Sequence, residues 1–334
     1  MAAITSQEIR LKRRPVGTPV AEDFELASAE AREPGEGEVQ VRNRFMSVDP
    51  YMRGRMYDRE SYVPPFAIGE VLQGGAVGEV VASGDPALQP GDTVMSMWGW
   101  REAFTVPAAG VQKVDTHGLP PQALLGVAGM PGMTAYVGLL KIAGLKEGDT
   151  VFVSAAAGAV GAIACQIAKL KGATVIGSAG GAEKVAFLKE IGVDHAIDYR
   201  AAGDLTAALA QAAPKGIDVY FDNVGGDHLE AAINAARPFA RFAVSGMISQ
   251  YNAVDPVPGP SNIINVVGKR LRIEGFIVSD HADVQPQFLA DMAGWLSSGK
   301  IQARETVDQG IAAAPGAFLK LFSGENFGKM LVRL

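Results

Sequence analysis

Val151-Phe-Val-Ser-Ala-Ala-Ala-Gly-Ala-Val-Gly161 is the stretch on which the fold turns. Val151 to Ser154 has the character of a buried strand. It runs through small residues into an apolar-periodic helix that starts near Gly158. Ala156, Gly158 and Gly161 hold the spacing of a dinucleotide fingerprint, with alanine in place of its first glycine. Small residues here let the backbone approach a pyrophosphate, and the uncapped N–H groups of the helix start, at Ala159, Val160 and Gly161, supply donors and partial positive charge. Gly158 permits the approach, and Gly161 lets the helix pack onto the strand.

A Gly/Ala-rich turn also serves as a plain packing device, so the flanking pattern has to decide. Val160, Ile163, Ala164, Ile167, Ala168 and Leu170 form a stripe at helical spacing, and Gly172 stands where a C-terminal cap belongs. A second strand, 173–177, and a second helix, 182–191 ending at Gly192, complete a βαβ unit. The fingerprint is the better reading. A site for NAD places an acid near the end of that second strand, about 20 residues on. The chain instead reads Gly177-Ser-Ala-Gly-Gly-Ala-Glu-Lys184. That leaves room for a 2′-phosphate, with Lys184 and Ser178 as cation and hydroxyl donor, and points to NADP(H). The competing reading makes Lys184 a solvated helix lysine and Glu183 the acid, but Glu183 comes late, inside the helix start.

Composition narrows the class. A chain of 334 residues exceeds one ordinary domain and can bury two cores. Its 20% charged and 48% hydrophobic residues fit neither a disordered nor a membrane-spanning chain. The first 19 residues carry Arg10, Lys12, Arg13 and Arg14 but no long apolar run, so neither a signal peptide nor a spanning helix is expected. A net charge of −6 argues against nucleic acid as a bulk electrostatic partner. Cys165 is the only cysteine, which rules out an intrachain disulfide and a cysteine-based zinc site and suits a reducing cytoplasm. His117, His195, His228 and His281 lack ligand spacing, so no metal site is expected.

The texture changes along the chain. Up to about residue 125, short β-like runs alternate with turn residues: Glu38 to Arg44 alternates around Val39 and Val41, and 71–81 has the pattern of a Gly-interrupted strand pair. Gly78 and Gly84 suggest bulges or bends of a small barrel. From Met130 onward strands alternate with helices, with strands expected near 150–154, 173–177, 194–198, 217–222, 240–245 and 271–277. Six such strands make a doubly wound parallel sheet, and the class is α/β. Residues 300–334 lose the alternation and are expected to return to the first domain. The expected division is therefore 1–127, 128–299 and 300–334.

Several longer strings point further. Val48-Asp-Pro-Tyr-Met-Arg-Gly-Arg-Met56, Gly129-Met-Pro-Gly-Met-Thr-Ala-Tyr136, Ala155-Ala-Ala-Gly-Ala-Val-Gly161, Glu183-Lys-Val-Ala-Phe-Leu-Lys189, Phe221-Asp-Asn-Val-Gly-Gly226, Tyr251-Asn252 and Asn326-Phe-Gly-Lys329 occur in one chain. With them the chain resembles the medium-chain dehydrogenase/reductases over essentially its whole length. The branch it resembles is the zinc-free one, with prostaglandin/leukotriene reductases, plant alkenal double-bond reductases and bacterial curcumin reductase.

The resemblance implies a GroES-like β-barrel catalytic domain beside a Rossmann cofactor domain, and a homodimer. It implies cofactor contacts for Thr134, Asn223 and Asn326, a lysine on the 2′-phosphate for Lys184, and a place by the adenosine for Tyr199. Tyr251 is implied near the substrate or nicotinamide ribose, and Tyr51 in the substrate pocket. The implied activity is NADPH-dependent reduction of the C=C bond of a small hydrophobic enone, without a metal. A zinc-free quinone reductase is the alternative within the fold, and a non-catalytic NADPH-binding protein the alternative outside it. Relatives with Gly-Tyr-Gly where this chain has Gly69-Glu70-Val71 keep an aromatic contact that is lost here. Bland readings stand beside these: Tyr51 as a half-buried turn aromatic, Tyr199 as the cover of a core edge, Asn326 as a turn cap. Met52, Met56, Met95, Met97, Trp98 and Trp100 suit either an apolar pocket or a core.

Overall fold

The computed structural model describes residues 3–116 and 118–334; His117 lies outside them. The alternating texture of the first third becomes short antiparallel strands. β1 (Ile4–Leu11) pairs with β2 (Phe24–Ala31). β3 (Glu38–Ser47), β4 (Ala76–Ser83), β5 (Thr93–Ser96), β6 (Ala103–Pro107) and β7 (Gln112–Lys113) build a second sheet, with a single helical turn α1 (Met52–Arg55) after β3. The run 71–81 is not a strand pair: Val71 and Gly74 make only isolated bridges, to Arg10 and Trp98, and β4 is the one strand. Gly78 does mark a bulge. The register of β3 on β4 shifts beside it, and a Cβ there would lie 2.6 Å from the Arg42 carbonyl oxygen.

From residue 126 the chain alternates. α2 (Met130–Tyr136) runs on into a π-helical turn at Val137–Ile142. Then follow β8 (Thr150–Val153), α3 (Ala159–Leu170), β9 (Thr174–Ala179), α4 (Ala182–Glu190), β10 (His195–Asp198), α5 (Leu205–Ala212), β11 (Ile217–Asp222), α6 (Gly226–Ala235), β12 (Ala236–Val244), α7 (Asn265–Lys269), β13 (Arg272–Gly275) and α8 (Gln285–Ser297). The strands pair in parallel in the order β10-β9-β8-β11-β12-β13. Strand order therefore reverses between β8 and β11, where doubly wound sheets bind ligands. The central strands are buried on both faces, which is why they read as continuous apolar runs.

The tail forms β14 (Glu305–Gln309), α9 (Ala314–Ser323) and β15 (Lys329–Arg333), and β15 pairs with β3. The chain thus divides into one unit of Met1–Leu125, Glu305–Asn326 and Met330–Leu334, and another of Gly126–Arg304 and Phe327–Lys329. The first unit's core joins Met52, Met56 and Trp100 to Phe24 and Phe318. Trp100 stacks on Phe24 at 6.2 Å and meets Phe318 edge-on at 6.1 Å. These two methionines and Trp100 are core, whereas Met97 is exposed. Among the described residues no helix is long and apolar enough to cross a membrane.

Candidate functional site

The fingerprint turn is built as its residue sizes demand. Ala155 adopts φ +47°, a left-handed conformation rare for a residue with a side chain, and so turns β8 toward α3. Gly158 is the N-cap of α3, and no side chain caps the helix, leaving its first amides to a ligand. A Cβ on Gly161 would lie 2.3 Å from the Ala155 carbonyl oxygen, so the first turn of α3 packs directly on the loop. Ala156 is fully buried and donates its N–H to the Ser178 carbonyl at 2.8 Å. The tail reaches this place too. Gly328 donates to the Ala157 carbonyl at 3.0 Å, and Phe327 meets Phe187 of α4 edge-on at 5.0 Å beneath the Arg304 guanidinium. Asn326 is the residue immediately before this segment and belongs to the first unit.

At the end of β9 the turn Gly180–Gly181 stands where an acid would select NAD. Lys184 lies half-buried in the first turn of α4. Burial, and then the charge of Arg200, lower its ammonium pKa. Tyr199 follows β10 and is 37% exposed. Ser178 is fully buried, and its Oγ has no hydrogen-bond partner among the described residues. From Val175 to Ala179 every residue of β9 is buried, so the hydroxyl does not meet solvent.

Polar groups gather where β8, β11 and β12 end. Asp222 Oδ1 accepts from the Tyr220 hydroxyl at 2.7 Å, the Ser154 hydroxyl at 3.2 Å and the amides of Val224 and Gly225 at 2.9 and 2.8 Å. Burial nevertheless pushes its carboxyl upward. Asn223 is pinned at both ends of its amide: Nδ2 donates to the Ser154 carbonyl at 2.7 Å, and Oδ1 accepts from Ser245 Oγ at 2.7 Å. The segment after β12 folds back on this turn, with Ile248 donating to the Asn223 carbonyl at 3.2 Å and Ser249 to that of Val224 at 3.1 Å. This brings Tyr251 to the end of β12. Burial first, and then the charge of Asp222, raise its phenol pKa, so it is a neutral donor at physiological pH. Thr134, in α2, is buried and donates to the Met130 carbonyl at 2.8 Å.

In the first unit, Tyr51 is the N-cap of α1 and half-buried. A four-residue helix cannot stand alone, and the two arginines of the motif hold it. Arg53 Nη2 donates to the Gly17 carbonyl at 2.9 Å, with the guanidinium 4.0 Å over the Tyr57 ring. Arg55 donates to the Pro64 carbonyl at 2.9 Å and to Gln73 at 3.0 Å, 4.0 Å over Phe66. Burial holds the Tyr51 phenol well above its usual range. Glu70 is exposed on the edge of β1, its carbonyl accepting from Leu11.

Sequence reading missed Arg200, Ser154 and Ser245. The only available signal for Arg200 was a cation directly after the tyrosine at the end of a strand. The two serines carried none, because their partners lie far away in sequence. Among the described residues no group of three or more His, Cys, Asp or Glu is placed to hold a metal ion.

Comparison with known proteins agrees with this layout. Residues 7–114 match a family described as the N-terminal domain of oxidoreductase, and residues 159–294 a family described as zinc-binding dehydrogenase. The NADPH-dependent curcumin reductase of Escherichia coli (strain K12) is 44% identical, over 97% of this chain and 95% of its own. The NADP(+)-dependent 2-alkenal reductase of Nicotiana tabacum is 42% identical, over 98% and 97%. The crystal structure of CurA in complex with NADPH from Vibrio vulnificus superposes with a TM-score of 0.93 at 44% identity, covering 98% of both chains.

Proposed function

Because the chain belongs to the medium-chain dehydrogenase/reductase family, in the branch of the curcumin, alkenal and prostaglandin reductases, we propose that it reduces the C=C bond of α,β-unsaturated ketones and aldehydes with NADPH. The reading rests on the Tyr251 hydroxyl, a neutral donor held at the carboxyl end of a parallel sheet beside Asn223. It is set in a chain that is 44% identical to a curcumin reductase over nearly its whole length.

The residues fit the cofactor. Small side chains at Ala156, Gly158 and Gly161 and the amides of Ala159, Val160 and Gly161 receive a pyrophosphate. Lys184 and Tyr199 take the adenosine end, and Thr134, Asn223 and Asn326 hydrogen-bond the remainder. When bound, NADPH supplies the hydride that ends on the β-carbon of the enone. Tyr251 donates to the carbonyl oxygen as enolate charge develops there, the pinned turn around Asn223 holds that donor in place without reorganisation, and a proton taken from water at the α-carbon completes the saturated carbonyl product. Tyr51 lines the pocket for a small hydrophobic enone. Met247 polarises the Tyr251 phenol by donating to its oxygen.

The test is transfer from hydride-deuterated NADPH to an aryl enone, followed by NMR. Deuterium on the β-carbon of a saturated ketone is expected. Deuterium on a carbinol carbon would overturn ene-reduction, and rapid quinone turnover with inert enones would reassign the protein as a quinone reductase.

A homodimer is the assembly we infer. β13 ends the sheet order, its residues are exposed, and Ile263, Ile264 and Val267 are exposed beside it. An edge strand flanked by apolar side chains is a template for pairing. Sedimentation velocity at micromolar concentration should give a dimer; a monomer would sink the inference. We place the protein in the cytoplasm, a reading supported by Cys165 being the only cysteine of the sequence, which leaves no intrachain disulfide.

A further inference from the structure

Arg200 packs against the Gly180–Gly181 turn, and Lys184 stands in the first turn of the helix that this turn opens. A Cβ on Gly180 would lie 2.8 Å from Arg200 Nε, 3.1 Å from its Cδ and 3.0 Å from the Tyr199 hydroxyl oxygen, so the guanidinium and the phenol both rest against this glycine. A larger residue at position 180 would displace them. Asp198 Oδ1 accepts the amides of Gly181 and Arg200 at 3.0 and 3.1 Å, tying the loop after β9 to the loop after β10 and fixing the root of Arg200. Lys184 feels Arg200 as its neighbouring like charge. The acid beside Lys184, Glu183, is 81% exposed and faces Arg304 at 3.8 Å. The two like charges repel, and an anion bound between them is attracted to both.

We propose that Arg200 is a specificity-determining residue that, with Lys184 and the Tyr199 hydroxyl, clamps the 2′-phosphate of NADPH. The proposal rests on the NADPH reading above and deepens it. A phosphomonoester carries close to two negative charges at pH 7 and three acceptor oxygens. A lysine offers it a point charge; an arginine adds a planar fork that binds two oxygens at once. Gly180 is small because the fork lies over it.

The test measures binding without substrate. Dissociation constants of NADPH and NADH are read by fluorescence, and those of adenosine 2′,5′-bisphosphate and ADP by competition, for the wild type, R200Q, R200K and K184A. R200Q should weaken NADPH and the 2′,5′-bisphosphate by about tenfold while NADH and ADP change less than about twofold. R200K should recover part of the loss, because it restores charge but not the fork. R200Q binding NADPH like the wild type, or weakening NADPH and NADH alike, overturns the clamp. Should R200Q fail to fold, R200K decides: weaker NADPH with unchanged NADH supports the clamp, and equal changes overturn it. A wild type that shows this preference yet leaves enones unreduced overturns the function and not the clamp. One that reduces enones equally well with either dinucleotide does the reverse.

Discussion

The main-chain N–H of Met247 donates to the Tyr251 hydroxyl at 3.2 Å, and that hydroxyl rests against Gly246, where a Cβ would lie only 2.9 Å from its oxygen. The phenol oxygen takes this amide as an acceptor, so its own proton is directed elsewhere. A backbone amide on a phenol oxygen also favours charge there, which makes the hydroxyl a stronger donor.

Tyr251→Phe should therefore lower kcat for enones by about 10²-fold, the usual scale for removing one preorganised oxyanion donor, with NADPH affinity within about twofold. Gly246→Ala should act in the same direction by displacing the hydroxyl. Steady-state kinetics beside NADPH titration separates the two quantities. Unchanged turnover of several enones by Tyr251→Phe removes Tyr251 from the mechanism.

Gly161 is a second position where size decides. Its added Cβ would meet main chain, the Ala155 oxygen at 2.3 Å and the Ala156 Cα at 2.8 Å, and main chain cannot swing aside. Gly161→Ala should cost about 1–3 kcal/mol of stability through overpacking. It should also weaken NADPH binding, because the turn has to open. Urea melts with and without NADPH report both effects. A variant with wild-type affinity would mean that the cofactor does not use this turn.

His228 sets a pH dependence. Its ring stacks on Phe152 at 6.4 Å and meets Tyr199 edge-on at 5.2 Å, and its Nε2 has no partner among the described residues. Burial lowers the imidazole from 6.5 to about 4. The unfolded chain takes up this proton at a higher pH than the folded protein does. Stability from the group is therefore complete above about pH 6.5 and lost as pH falls toward about 4. The interval corresponds to roughly 3 kcal/mol. His228→Phe should remove that part of the slope, seen in urea melts near pH 7 and near pH 4.5. A slope as steep as the wild type's would place its origin in other groups.

The returning tail carries core weight. Phe318 of α9 is fully buried and packs edge-on to Phe24 at 6.3 Å, Trp100 at 6.1 Å and Phe322 at 5.1 Å. Phe318→Ala should destabilise the first unit by about 3–5 kcal/mol. Calorimetry should show the early part of the transition moving down. A shift under about 1 kcal/mol would mean that the cluster repacks without it.

The sequence by itself determined what depends on near neighbours. Small residues at 156, 158 and 161 between a β-branched run and a helical stripe specify a strand–turn–helix, because backbone approach and hydrophobic period are local properties. The glycines after β9 with Lys184 close behind were legible for the same reason, as were the strands of the parallel sheet, whose burial on both faces leaves apolar runs. The strand pair expected at 71–81 failed because pairing depends on partners elsewhere, here β3 and β5 for β4 alone. Only the tertiary structure decided which side chains meet. It put Arg200 against Gly180 and Ser245 on Asn223, buried Ser178, and made Met52, Met56 and Trp100 core. Each of those outcomes is a contact or a burial between segments far apart in the chain. Residue type limits what a side chain can do, and the packing of distant elements determines what it faces.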